Sequence, residues 1–231
     1  MVILEVEGLS KKYLSKQALK DINITIEKGK IVGLFGPNGS GKTTLMKIVA
    51  GLIQPTGGKL SICEHNLGYI TKSLVAYLPD SDFLYDWMKI EDAKKIYVKF
   101  FDDFNTQKFN ELLELMQLSC NMKVKSLSKG MKEKLSITLT LSRDAKLIVL
   151  DEPLSGVDPI AREQILQAIL KGFSFESSML ITSHLINEFE NIIDEVYYLK
   201  EGQIILSGNV EMIKDERHKT LDELYREVFA Q

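Results

Sequence analysis

Residues Gly36-Pro37-Asn38-Gly39-Ser40-Gly41-Lys42-Thr43 follow the pattern G-x-x-x-x-G-K-T, whose glycines let successive backbone N–H groups turn inward around an anion. A helix beginning at Lys42 adds its positive end to the same point, so the stretch predicts a seat for the phosphates of a nucleoside triphosphate. Lys42 is then placed to reach the β- and γ-phosphates, and the Thr43 hydroxyl to hold Mg²⁺. Hydrolysis needs more: a carboxylate for the metal and a group that deprotonates or orients water. Asp151-Glu152 offers both, with Asp151 expected in the Mg²⁺ shell and Glu152 at the attacking water as general base. A dinucleotide loop of the G-x-G-x-x-G kind is excluded, because Thr44 stands where its third glycine belongs.

Strands must deliver these groups. The apolar run Lys30-Ile31-Val32-Gly33-Leu34-Phe35 leads straight into the loop, giving the strand, loop and helix context that the motif requires. Leu147-Ile148-Val149-Leu150 and Met179-Leu180-Ile181-Thr182 are short continuous apolar runs, as expected of strands buried on both faces of a parallel sheet. The first ends at the acid pair, where ligands sit in an open α/β sheet. It reaches the phosphate loop if the two strands are neighbours. Strand alternation then sends Asp151 and Glu152 to opposite faces.

Val2–Val6 and Ile22–Ile26 carry β-branched residues and predict a small N-terminal antiparallel layer. Between about Phe83 and Arg143 the pattern turns helical: Ala93, Ile96, Tyr97, Phe100, Phe101 and Phe104 recur at helical spacing, predicting one apolar face of an inserted lobe. Val196–Leu199 and Gln203–Leu206 read as a hairpin. Thr220 and Glu223 read as a capping box that opens a tail helix with Leu221, Leu224, Tyr225 and Val228 on one face. The expected fold class is α/β, a single domain over 1–231. Its core, 1–82 and 144–231, has a mostly parallel sheet and the antiparallel layer; 83–143 form the inserted helical lobe.

The chain has 231 residues, of which 45% are hydrophobic, ample for one large core. Lys+Arg 29 against Asp+Glu 32 leaves a net charge of −3, so bulk electrostatics recruit neither nucleic acid nor an anionic membrane. No apolar run approaches the roughly 18 to 20 residues of a membrane-spanning helix, and the N-terminus carries no signal-peptide pattern, so a cytosolic location is expected. Cys63 and Cys120 lack C-x-x-C spacing, which argues against zinc.

Between the phosphate loop and Asp151 lies Leu127-Ser128-Lys129-Gly130-Met131. With these motifs in this order, essentially the entire chain resembles the ATP-binding-cassette (ABC) ATPases. The resemblance implies a P-loop NTPase fold, with ATP and Mg²⁺ as ligands. It also implies a head-to-tail dimer, with itself or with another ABC ATPase. The phosphate loop of one subunit, continuing through Thr44, would face Ser128, Gly130 and Met131 of the other. Ser128 would cap the helix that follows, bringing backbone N–H groups toward the partner's γ-phosphate.

By the same resemblance Tyr13 stacks on adenine, His184 touches the γ-phosphate, and Asp158, in Ser155-Gly156-Val157-Asp158, crosses the dimer interface. Asp158 followed by Pro159 is equally an N-cap and first helical residue. Two positions depart from the family pattern. Asp80 follows Tyr77-Leu78-Pro79 where a glutamine is usual; it can still touch Mg²⁺ or water, with shorter reach. Lys129 replaces a glycine, adding positive charge near the partner's phosphate or pointing to solvent.

Both departures resemble a branch of bacterial ABC exporters. The function implied is the energy-coupling ATPase of a transporter, held at the inner face of the cell membrane by a separate membrane-spanning permease. Phe83, Leu84, Tyr85 and Trp87 would offer a groove for a permease helix. A soluble ABC ATPase acting on a protein assembly, such as an iron–sulphur scaffold, is the alternative. A non-hydrolysing nucleotide sensor is a third class, motivated by Asp80 and Lys129.

Overall fold

Alternating aliphatic and polar residues carry the first hairpin well beyond its β-branched segments. In the computed structural model, which describes residues 1–230, β1 (Val2–Tyr13) pairs antiparallel with β2 (Lys16–Glu27). β3 (Ile31–Phe35) runs into the glycine-rich loop, and α1 begins at Lys42 (Lys42–Val49). β4 (Gly57–Ile62) and β5 (His65–Asn66) complete an antiparallel sheet of order β2-β1-β4-β5. α2 (Tyr69–Leu74) leads to β6 (Val75–Leu78).

Three helices follow: α3 (Ile90–Phe100), α4 (Thr106–Leu115) and α5 (Lys129–Leu141), the last preceded by a 3₁₀ turn over Val124–Ser126. Then come β7 (Leu147–Asp151), α6 (Pro159–Gly172), β8 (Ser178–Thr182) and the short α7 (Ile186–Phe189). The hairpin of β9 (Glu195–Lys200) and β10 (Gln203–Asn209) precedes α8 (Val210–Arg217) and α9 (Leu221–Phe229). Thr220 and Glu223 form the capping box that starts α9.

The second sheet has the order β10-β9-β3-β8-β7-β6, parallel except at the β9–β10 hairpin. β3 and β7 are not direct neighbours, because β8 lies between them. The alternation of strand side chains divides the apolar interior into two. Phe35, Ile148 and Leu150 face a core shared with Phe109 and Leu112 of α4 and with Leu135 and Leu139 of α5. Val32, Leu34, Leu147 and Val149 face α1 and the antiparallel sheet, against Leu45, Ile48, Ile3 and Ile24. A strand covered on both faces has no polar side to show, which is why β3, β7 and β8 read as unbroken apolar runs.

The predicted apolar face over 93–104 is corrected in part. Ala93 is buried, but Ile96 is 37% and Phe100 71% exposed. α3 ends at Phe100 with an extended cap at Phe101, so the chain leaves helical register. Tyr97, Phe101 and Phe104 cluster instead around the turn, with ring centroids 5.2 and 5.8 Å apart. Arg143, buried at the end of this segment, pairs with Asp103 at 2.9 Å and donates to the carbonyls of Ser73 and Val75. It ties the helical segment to β6. No helix among the described residues is long and apolar enough to cross a membrane.

Candidate functional site

The loop after β3 passes so close to the Leu199 carbonyl of β9 that a Cβ at position 36 has no room, which leaves glycine there. Gly41, at φ 115°, turns the chain into α1 and offers no side-chain cap. The N–H groups of the first turn, from Lys42 to Thr44, therefore face outward without intrahelical acceptors, as at any helix start. Lys42 is only 6% exposed. Its Nζ donates to the carbonyls of Gly36 at 2.7 Å and Pro37 at 3.3 Å. Burial holds the ammonium below its ordinary pKa, opposed by the charges of Glu152 and Asp151.

Asp151 ends β7 and is 1% exposed. Its Oδ1 accepts from Thr182 Oγ1 at 2.8 Å and lies 3.5 Å from Thr43 Oγ1. Its Oδ2 is buried and has no hydrogen-bond partner among the described residues. Burial pushes the carboxyl above its ordinary pKa, while hydrogen bonds from Thr182 and Thr43 oppose the shift. A hydroxyl beside a carboxylate with one orphaned oxygen is a donor set for a hard divalent cation, so Thr43 and Asp151 fit Mg²⁺. α1 thus brings Thr43 to β7 across the intervening strand.

Glu152 lies beyond the strand, at φ 53°. A left-handed backbone at a non-glycine residue costs on the order of 1–3 kcal/mol and persists only where its surroundings hold it. Here the Glu152 N–H donates to Thr182 Oγ1 at 3.0 Å, and Glu152 Oε2 accepts from the His184 N–H at 3.0 Å. The His184 ring brings Nε2 to 3.1 Å from Oε1, without the alignment of a hydrogen bond. Burial raises the Glu152 pKa, with His184 opposing first. The expected separation of the two acids by strand alternation is therefore corrected: a left-handed turn separates them.

Lys42, Thr43, Glu152 and His184 share one cleft of about 300 Å³, which the buried Asp151 does not itself line. Asn38, Gly39, Gly41, Lys42, Thr43 and Thr44 form one wall, and Asp80, Glu152 and His184 another. Tyr13 stands at the rim, 45% exposed, with Lys11 Nζ 5.0 Å from its ring centroid. Gly36, Pro37 and Ser40 do not line it; the Ser40 side chain is buried behind the loop.

Ser128, Gly130, Met131 and Asp158 are not part of this cleft. They gather where α5 and α6 begin. Ser128 Oγ accepts from the Met131 N–H at 3.3 Å, Asp158 Oδ1 accepts from the N–H groups of Ile160 and Ala161 at 3.1 and 3.0 Å, and a Cβ on Gly130 would stand 3.9 Å from Asp158 Oδ2. Lys129 folds its ammonium over Gly156 of the neighbouring loop. The aromatic stretch divides: Phe83 and Leu84 pack on the core, whereas Tyr85 and Trp87 are 63% and 72% exposed and stack at 6.1 Å.

Sequence reasoning missed three contributors. Thr182 bridges the two acids; its signal was a hydroxyl at the end of an otherwise aliphatic strand. Tyr77, whose buried hydroxyl has no aligned partner, is pushed up by burial and then by the charge of Asp151. Lys16 lines the cleft beside Tyr13, and no local pattern marks it.

A family model described as "ABC transporter" matches residues 19–155. The ABC transporter ATP-binding protein YtrB of Bacillus subtilis is 30% identical over 220 residues, 93% of this chain and 74% of that protein. The lantibiotic transport ATP-binding protein SrtF of Streptococcus pyogenes is 32% identical over 207 residues, 88% of this chain and 90% of that one. An uncharacterised ABC transporter ATP-binding protein of Nostoc is 33% identical over 202 residues, 84% of this chain; the match spans 60% of the Nostoc protein's length. Among solved structures, an ATP-binding subunit of an ABC transporter superposes at a TM-score of 0.87 with 27% identity, covering 97% of this chain and 98% of that one. A dimeric ATP-binding cassette in a post-hydrolysis state, bound to ADP and Pi, superposes at 0.79 with 21% identity, covering 90% and 99%, and shares the fold.

Proposed function

The chain belongs to the ABC transporter ATPase family, and from that premise we propose that it is the energy-coupling subunit of an exporter. Two cassettes close head-to-tail around ATP and drive a permease carried on a separate chain. Residues 1–82 and 144–231, of which 231 lies outside the described residues, form the nucleotide-binding core, and 83–143 the lobe that presents Ser128, Gly130 and Met131 to the partner's nucleotide. Asp158 meets the partner at the same interface. The subunit works at the inner face of the membrane, where the exposed Tyr85–Trp87 pair meets the permease. Transport is supported by the likeness to a lantibiotic transport protein, and export by the Ser-Lys-Gly-Met and Pro-Asp patterns, which resemble a branch of bacterial ABC exporters.

The phosphates rest on the loop N–H groups and the Lys42 ammonium, and the adenine on Tyr13. Thr43 and Asp151 would hold Mg²⁺, with Asp80 beside them; when bound, the ion neutralises charge on the phosphate oxygens. Glu152 takes a proton from the attacking water as that oxygen bonds to the γ-phosphorus. The bond to the β–γ bridging oxygen breaks, and its electron pair leaves with ADP. His184 braces Glu152 and contacts the γ-phosphate.

The observation that carries this reading is the approach of Glu152 to His184 at 3.1 Å, in the cleft where Thr43 stands 3.5 Å from Asp151. Glu152→Gln should lower ATP turnover by about 10²- to 10⁴-fold, the effect of removing a general base, while ATP still binds. With saturating MgATP the variant should elute as a dimer in size-exclusion chromatography. A monomer would remove the shared site, and turnover untouched by the substitution would remove Glu152 as the base.

A further inference from the structure

Thr182 bonds the Asp151 carboxylate and the Glu152 backbone N–H with one hydroxyl. It is fully buried at the end of β8, opposite Asp151 in the parallel ladder. A hydroxyl has one proton to donate and lone pairs to accept. Oγ1 donates to Asp151 Oδ1 at 2.8 Å and accepts the Glu152 N–H at 3.0 Å, so both capacities are used. The first bond orients Asp151 so that Oδ2 remains free. The second fastens the residue whose backbone is left-handed, at φ 53°, and that conformation carries the Glu152 side chain to the His184 N–H.

We infer that Thr182 is a positioning residue for hydrolysis: its single hydroxyl sets the metal-binding carboxylate and the general base relative to each other. This rests on the ATPase reading above. The test uses the full chain with Thr182→Val, which keeps the shape and loses both bonds, and Thr182→Ser, which keeps both. Thr182→Val should lower kcat by about 10- to 100-fold, as loss of a group supporting a site does, with KM for ATP changed by less than about threefold. Thr182→Ser should recover most of the rate.

Amide hydrogen exchange on nucleotide-free protein supplies a readout that needs no turnover. In Thr182→Val the Glu152 and His184 amides should exchange at least about tenfold faster, while the interior amides of β8 stay protected. Wild-type kcat in Thr182→Val, a Thr182→Ser variant as slow as Thr182→Val, or unchanged exchange at Glu152 would each overturn the inference. If Thr182→Val does not fold, Thr182→Cys, of similar size and weak hydrogen-bonding power, carries the same expectations. A wild-type protein that hydrolyses no ATP would refute the ATPase reading instead, and exchange would still decide whether Thr182 positions Glu152.

Discussion

The Lys42 ammonium donates to two carbonyls of its own loop and lies near the charges of Asp151 and Glu152. Lys42→Ala should weaken ATP binding by roughly 10- to 100-fold, as expected for a charged hydrogen bond of about 1.5–3 kcal/mol; calorimetry giving an unchanged Kd would refute its role. Glu133 on α5 makes a different prediction. Burial first, and then the charges of Asp80 and Asp82, raise it from 4.5 to about 7 against the opposing charge of Lys129. The folded state thus binds the extra proton. The stability this gives is complete below the unfolded value and is lost as pH rises through the folded one. Glu133→Gln mimics the protonated form, so it should leave stability unchanged near pH 4 and raise it at pH 8 by about 1–2 kcal/mol, allowing for solvent screening of a partly exposed group. Denaturant unfolding at the two pH values measures this.

At the scale of elements, the starts of α5 and α6 have a cap that needs no partner, and α5 offers a way to tell capping from catalysis. Glycine is tolerated at an N-cap almost as well as serine, whereas alanine costs about 1 kcal/mol. Ser128→Ala should therefore destabilise the protein and Ser128→Gly should barely do so. If the Ser128 hydroxyl serves the partner's nucleotide, both should lower ATP turnover by about tenfold or more; turnover that follows stability would leave Ser128 a cap only. Local chemistry made such elements legible: α1 starts where the loop pattern ends at Lys42, and Thr220 with Glu223 marks α9. The exposed faces of Ile96 and Phe100 were not legible, because helical spacing identifies an apolar stripe without saying whether another element covers it.

Across the whole molecule, nucleotide cleft and cap cluster form two separate surfaces, an arrangement suited to reciprocal pairing of two copies. The exposed Tyr85–Trp87 stack is a third, assigned here to a permease. Recovery of a polytopic membrane protein with the tagged chain, reduced in Tyr85→Ala/Trp87→Ala, is the expected outcome; a pull-down that yields no such partner would count against the transporter assignment. The amino-acid sequence by itself determined the phosphate loop, the acid pair and the apolar strands, because each is written in adjacent residues whose geometry is local. Only the tertiary structure decided that β8 separates β3 from β7, that Glu152 turns left-handed, and that Thr182 joins it to Asp151. Those facts arise from strand order and from hydrogen bonds between residues about thirty positions apart, where packing rather than local spacing selects the partner.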